Sequence, residues 1–226
     1  AKVILVDVVT ENGVGGNSRY VENIGNVAMG TDNALENVGA ADHFYDGLAS
    51  YHRYASNAIV TRRFANDGEK VRAWTTDFQG ITYNAKGKYD HGENGESGGM
   101  VAIMKMYELG QELGVEFIFD ARAYELLTDA NGAVAGALCK TRTGDIIQVN
   151  AKAVDLCTGG FSANAEMFEK YTHVKYDRVI ARGTMGTQRG DGLNMGLALG
   201  AQLHHPSAIN YCSPILPGHY NKGALT

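Results

Sequence analysis

Four short stretches of the 226-residue chain combine residue types and positions able to hold a phosphorylated ligand. Asp7 sits near the C-terminal end of the apolar, β-branched run Ala1–Val9. An acidic residue there can accept hydrogen bonds from a ribose hydroxyl in a dinucleotide fold. Gly15-Gly16-Asn17-Ser18 follows, made of residues that tolerate unusual backbone angles and let main-chain N–H groups approach a pyrophosphate. Thr158-Gly159-Gly160 comes directly after another apolar run, Ala151–Cys157. Gly190-Asp191-Gly192 opens an apolar helix, whose first N–H groups can bind an anion. Each stretch also has a plain structural reading. Asp7 can form a turn or cap a helix, the GGNS and TGG stretches can be tight turns, and GDG can be a helix cap.

The elements that must carry these residues read as follows. Ala1–Val9 is predicted to be a buried strand, and helical stretches are expected around Ala41–Tyr54 and Gly68–Phe78. The Gly/Asn/Asp-rich segment Asn84–Gly98 reads as loop. Met100, Ile103, Met104, Met106, Tyr107 and Leu113 fall on a helical period that Gly114 ends. Val115–Asp120 is a short strand. Ala123–Thr128, Ala133–Lys140 and Asp145–Val149 are separated by two Gly-containing turns, the pattern of a small antiparallel meander. Ala151–Cys157 reads as a second buried strand, and helices follow near Ala163 and over Gly192–Leu199.

Composition sets the frame. Hydrophobic residues make up 44% and charged residues 20%, enough for a packed core. Glycine, at 29 residues, stands near twice its average share of about 7% while only 3 prolines occur, so the glycines belong to turns and close approaches rather than to a linker. The net charge of −5 and the lack of a basic block speak against nucleic acid as a partner. No apolar run approaches the ~18 residues that span a bilayer. The chain opens with Ala1 and no secretion signal, so any export signal would lie upstream and the compartment stays open. Cys139, Cys157 and Cys212 lie far apart and form no CxxC pair, against a zinc site or disulfide framework.

The order of these motifs, from acidic-ended strand and GGNS through helix and meander to TGGF with Asn164 and then GDG with an apolar helix, resembles one family. It is the FAD-binding flavoproteins that include the flavoprotein subunits of fumarate reductase and succinate dehydrogenase, with urocanate reductase and the 3-ketosteroid dehydrogenases as relatives. The resembling stretches are Ala1–Ser18, Gly98–Asn164 and Gly190–Ala201. The resemblance implies an α/β FAD/NAD(P)-binding, Rossmann-like parallel sheet with an antiparallel β-meander. Residues 1–203 would form part of an FAD-binding domain with an irregular helical insertion at 30–97, and 204–226 would begin a capping domain. It implies FAD as cofactor, with Asp7 on the adenosine ribose and Gly15, Gly16, Asn17 and Ser18 along the pyrophosphate and flavin. Ala123 would meet the adenine through its backbone, and Thr158, Gly159 and Gly160 would approach the diphosphate. Gly190, Asp191 and Gly192 would lie near the flavin. The activity implied is hydride transfer between FAD and an activated C=C bond of a small substrate, an enoate or enone. An electron-donor protein or domain would be a further partner, and the catalytic residues would lie beyond residue 226.

Departures from the pattern carry a second reading. The family's first strand and G-x-G-x-x-G helix are expected before Ala1, so the chain reads as a fragment lacking its N-terminal βα unit. Val21-Glu22-Asn23 stands where the family has small residues under the flavin. Cys212-Ser213-Pro214 stands where fumarate reductases have a histidine, and His204-His205-Pro206 comes too early. A truncated or degenerate flavoprotein scaffold, with no cofactor and no activity of its own, is the alternative, and an NAD-binding module is a third. His204 and His205 read as one exposed and one packed histidine at a strand start, too few ligands for a metal. His43, His52, His91, His173 and His219 read as surface or helix-face residues. Arg182 and Arg189 could pair with a phosphate or carboxylate, or form ordinary salt bridges. Met100, Met104 and Met106 read as core filling.

Overall fold

A computed structural model of the chain describes residues 1–20, 40–51, 53–83, 90–178 and 186–207. The expectations for Glu22, Arg182, Cys212, His52 and His219 fall outside the described residues, as does most of the segment expected to begin a cap. The chain divides into two compact units. One takes Ala1–Asn17 and the chain from Leu113 onward, the other Ser18–Glu112.

The first unit is α/β, as the motif order implied. Strand β1 (Ile4–Val6) pairs in parallel with β2 (Glu116–Ile118), Leu5 opposite Phe117. Strands β3 (Ala121–Thr128), β4 (Val134–Thr141) and β5 (Ile146–Asn150) form the antiparallel meander, in the order β3-β4-β5. Its turns are made by local chemistry. Asp129 Oδ1 accepts from the Asn131 and Ala133 amides at 2.8 and 3.0 Å, and Gly132 supplies the left-handed residue at φ +82°. At the next turn Thr141 Oγ1 accepts from the Asp145 amide at 2.9 Å. Ala121, Ala137 and Cys139 form the buried centre, with Val6, Ile118, Leu126, Ile147 and Val149 packed around them. Burial in this apolar setting pushes the Cys139 thiol above its ordinary 9.0. Helix α4 (Ala165–Thr172) starts at Asn164, whose Oδ1 accepts from the Met167 amide at 3.1 Å. Helix α5 (Asp191–Ala198) packs on β3.

The second unit holds helices α1 (Ala40–Tyr51), α2 (Ala58–Asp77) and α3 (Gly98–Glu112). Asn57 caps α2, its Oδ1 accepting from the Ile59 and Val60 amides at 3.0 and 3.2 Å. The buried face of α2 is a row of small residues, Thr61, Ala65, Gly68 and Thr75, at helical spacing. Phe44 and Phe64 meet at 6.0 Å between ring centroids, and Arg62 pairs with Asp42 at 2.5 Å while lying over the Tyr45 ring. Ser97 caps α3, accepting from the Met100 amide at 3.3 Å and donating to the Arg19 carbonyl. Ile81 and Ala102 form a small core with Tyr83 and Met106.

Several expectations need correction. The strand expected over Ala1–Val9 shortens to three residues and is not buried, Val3 and Leu5 being 49% and 39% exposed. Ala151–Cys157 forms no strand, and Lys152, Ala153, Asp155, Leu156 and Cys157 are exposed. The Ala151 amide still donates to the Ala135 carbonyl at 2.9 Å, but among the described residues no strand pairing continues over 152–157, and a ladder exists only where a neighbour supplies N–H and C=O groups. Helix α2 begins at Ala58, ten residues before Gly68, because glycine here sits on the buried face rather than at an end. His204 and His205 are both exposed, their rings edge-to-face at 4.2 Å, and no strand starts there. No helix among the described residues is long and apolar enough to cross a membrane.

Candidate functional site

Two of the three glycine turns meet in the first unit. The Gly190 amide donates to the Gly160 carbonyl at 3.0 Å, and the Gly192 amide donates to Thr158 Oγ1 at 3.0 Å. Gln188 and Arg189 extend the junction. Ser162 Oγ donates to Gln188 Oε1 at 2.7 Å, the Ala163 amide to the Gln188 carbonyl at 2.9 Å, and Asn164 Nδ2 to the Arg189 carbonyl at 2.9 Å. Asn164 thereby caps α4 and holds the turn before α5 with one side chain.

Sterics explain why glycine is used at two of these places. Gly190 has φ +81°, and a Cβ there would lie 2.5 Å from Met167 Sδ. A Cβ on buried Gly192 would run into Thr158 Oγ1. Gly160 differs: a Cβ on it meets nothing within 4 Å, and its backbone borders open space. Gly16 borders open space in the same way, at φ +48°. Main chain at Gly16 and Gly160 is thus accessible to a ligand, the property a dinucleotide site requires.

Asp7 directly follows β1. Its backbone continues the pairing on both sides, its amide donating to the Ile118 carbonyl at 2.9 Å and its carbonyl accepting from the Ala121 amide at 3.0 Å. One carboxylate oxygen accepts from the Val9 amide at 3.3 Å, so the turn-forming reading of Asp7 is realised. A carboxylate offers about four lone-pair sites, so this bond leaves accepting capacity for a sugar hydroxyl. Gly15 and Gly16 adopt left-handed backbone, and Gly16–Tyr20 forms a 3-10 turn in which Ser18 already belongs to the second unit. Ala123 lies half-buried on β3 opposite Cys139.

One residue of this constellation escapes sequence reading. Arg122, beside Ala123 on β3, pairs with the carboxylate of Asp191 at the first turn of α5. Both side chains are about three-quarters buried, at 28% and 24% exposure. The only sequence signal is its position next to Ala123. Arg189, expected to pair with a phosphate or carboxylate or to form a salt bridge, is exposed and donates to the Gly186 carbonyl at 3.3 Å. Met100 does more than fill space: its sulfur accepts from Arg19 Nε at 3.0 Å. Among the described residues no three His, Cys, Asp or Glu side chains group as metal ligands.

Residues 25–225 match the family model described as FAD binding domain. The chain is 30% identical over 197 residues to the vinyl phenol reductase of Lactiplantibacillus plantarum, a span covering 84% of this chain and 39% of that protein. It is 38% identical over 85 residues to the urocanate reductase of Eggerthella lenta, covering 37% of this chain and 14% of the relative. The chain therefore spans less than half the length of these relatives. Its fold is similar to that of the 3-ketosteroid-Δ4-(5α)-dehydrogenase from Rhodococcus jostii RHA1 in complex with 4-androstene-3,17-dione, with a TM-score of 0.71 at 19% identity, over 91% of this chain and 50% of that one. It is also similar in fold to the open conformation of a flavocytochrome c3 fumarate reductase, with a TM-score of 0.66 at 18% identity, over 89% and 41% of the two chains. The chain belongs to the FAD binding domain family of flavoproteins, and its cofactor is FAD.

Proposed function

We propose that the chain is the FAD-holding part of an oxidoreductase of the fumarate reductase type, acting on an activated C=C bond of a small enoate or enone. Support comes from relatives named as reductases of vinyl phenol and urocanate. The observation that carries the reading is the joined pair of turns, Thr158–Gly160 and Gly190–Gly192, beside the strand that bears Ala123. In this reading the Gly16 and Gly160 backbone lies along the diphosphate, Asp7 takes the ribose, and Ala123 meets the adenine through its main chain. Asn17 and Ser18 continue the Gly15–Gly16 turn toward the flavin, with Gly190, Asp191 and Gly192 near it, and Thr158 and Gly159 approach the diphosphate beside Gly160. The flavin, when bound, supplies hydride transfer, and the protein supplies orientation and exclusion of competing reactions. The electron donor in this reading is a separate protein or domain, and residues 1–203 are part of one FAD domain with 204–226 leading to a cap.

Anaerobic assay with FAD, a reduced dye and fumarate or an enone tests this reading. Dye oxidation that requires both FAD and the acceptor supports the oxidoreductase. FAD taken up without any turnover of enoates or enones by the full-length protein contradicts it.

A further inference from the structure

Helix α5 begins at a glycine. Its N-cap, Gly190, has no side chain with which to satisfy the first amides, and glycine in left-handed backbone does not by itself fix the direction of the helix that follows. Two residues distant in sequence supply what the cap lacks. Thr158, 34 positions upstream, offers its hydroxyl oxygen to the Gly192 amide, and Arg122, 69 positions upstream, binds the Asp191 carboxylate. The hydroxyl–amide bond is of normal length at 3.0 Å, and the ion pair is largely withdrawn from water, where charge-assisted bonds hold geometry better than at the surface.

We propose that Arg122 and Thr158 are positioning residues that fix the start of α5, and that FAD affinity depends on both. This rests on the FAD-holding reading above. Two physical consequences follow from the pairing. First, the anionic Asp191 would repel a diphosphate if left bare, and Arg122 neutralises it while keeping it at the helix start. Second, Arg122 is the neighbour of Ala123, so the strand expected to meet the adenine also sets the helix expected near the flavin. Thr158 plays the matching part from the TGG turn. Its hydroxyl accepts from Gly192 and still has one hydrogen to donate.

The test uses the full chain with Arg122→Gln, Arg122→Lys, Thr158→Val and Thr158→Ser, each titrated with FAD by flavin fluorescence and followed by amide hydrogen exchange. The expected result is at least a tenfold loss of FAD affinity in Arg122→Gln and Thr158→Val. Thr158→Ser, which restores the hydroxyl, and Arg122→Lys, which restores the charge, recover most of it. In Thr158→Val the Gly192 amide exchanges faster while amides of the meander keep their protection, a local change that general unfolding would not give. Unchanged FAD affinity in both disruptive variants overturns the proposal and leaves the FAD-holding reading intact, as does unchanged Gly192 protection in Thr158→Val. Failure of the unaltered chain to take up FAD overturns that reading and the proposal with it.

Discussion

The guanidinium of Arg122 and the carboxylate of Asp191 meet across 69 positions of sequence, joining the second residue of a meander strand to the first residue of a helix. With the Thr158–Gly192 bond, this pair gives α5 a fixed start that its own N-cap cannot provide. The glycine turns of the chain are therefore not equivalent. Some glycines are required by their neighbours, and others leave backbone open.

That difference predicts opposite outcomes for three alanine substitutions. Gly192→Ala forces a methyl group into the Thr158 hydroxyl, and Gly190→Ala adds a strained left-handed residue to a collision with Met167. Each is expected to lower stability by about 1–3 kcal/mol, read as a fall in thermal midpoint. Gly160→Ala meets open space and ordinary backbone angles, so its stability should stay within about 0.5 kcal/mol of the parent while FAD affinity falls. Equal stability losses at all three positions would contradict the steric account.

Asn164 does two tasks with one amide group, capping α4 through Oδ1 and holding the Arg189 carbonyl through Nδ2. Asn57 caps α2 only. Loss of a cap costs about 1 kcal/mol. Chemical denaturation of Asn57→Ala should show a loss of that size, and Asn164→Ala a larger one. Reversal of that order would remove the joint role assigned to Asn164.

The two described cysteines should differ in chemistry. Cys157 is exposed, whereas Cys139 is fully buried and its thiol is raised above 9.0 by desolvation. A thiol-reactive dye should label Cys157 in the folded chain and reach Cys139 only on unfolding. A group with a raised folded value favours the folded state below its unfolded value, and that contribution is lost as pH rises from about 9 through the folded one. Unfolding free energy of the parent should thus fall more steeply above pH 9 than that of Cys139→Ala. Parallel pH curves, or labelling of Cys139 in the native chain, would contradict the burial.

The parts of this fold set by neighbours in sequence were the readable ones. The meander turns announce themselves through Asp129, Gly132 and Gly144. Helix α3 follows from its apolar period and Gly114, which indeed adopts φ +76°. What depends on distant partners was hidden. Ala151–Cys157 reads as a strand, yet its described pairing stops at the bond from the Ala151 amide to the Ala135 carbonyl, and Gly68 reads as a helix start although it lies on the buried face of α2. The site followed the same rule. Glycine turns carry their own signature, while Arg122 acquires its meaning from a carboxylate that the sequence places far away.

In the proposed site the Thr158–Gly160 and Gly190–Gly192 turns form one seat for FAD. Calorimetric titration of the 226-residue chain with FAD decides whether they do. Saturable one-to-one binding, weakened by Gly160→Ala and accompanied by a raised thermal midpoint, is the predicted result. No heat of binding and an unmoved midpoint at saturating FAD would contradict it.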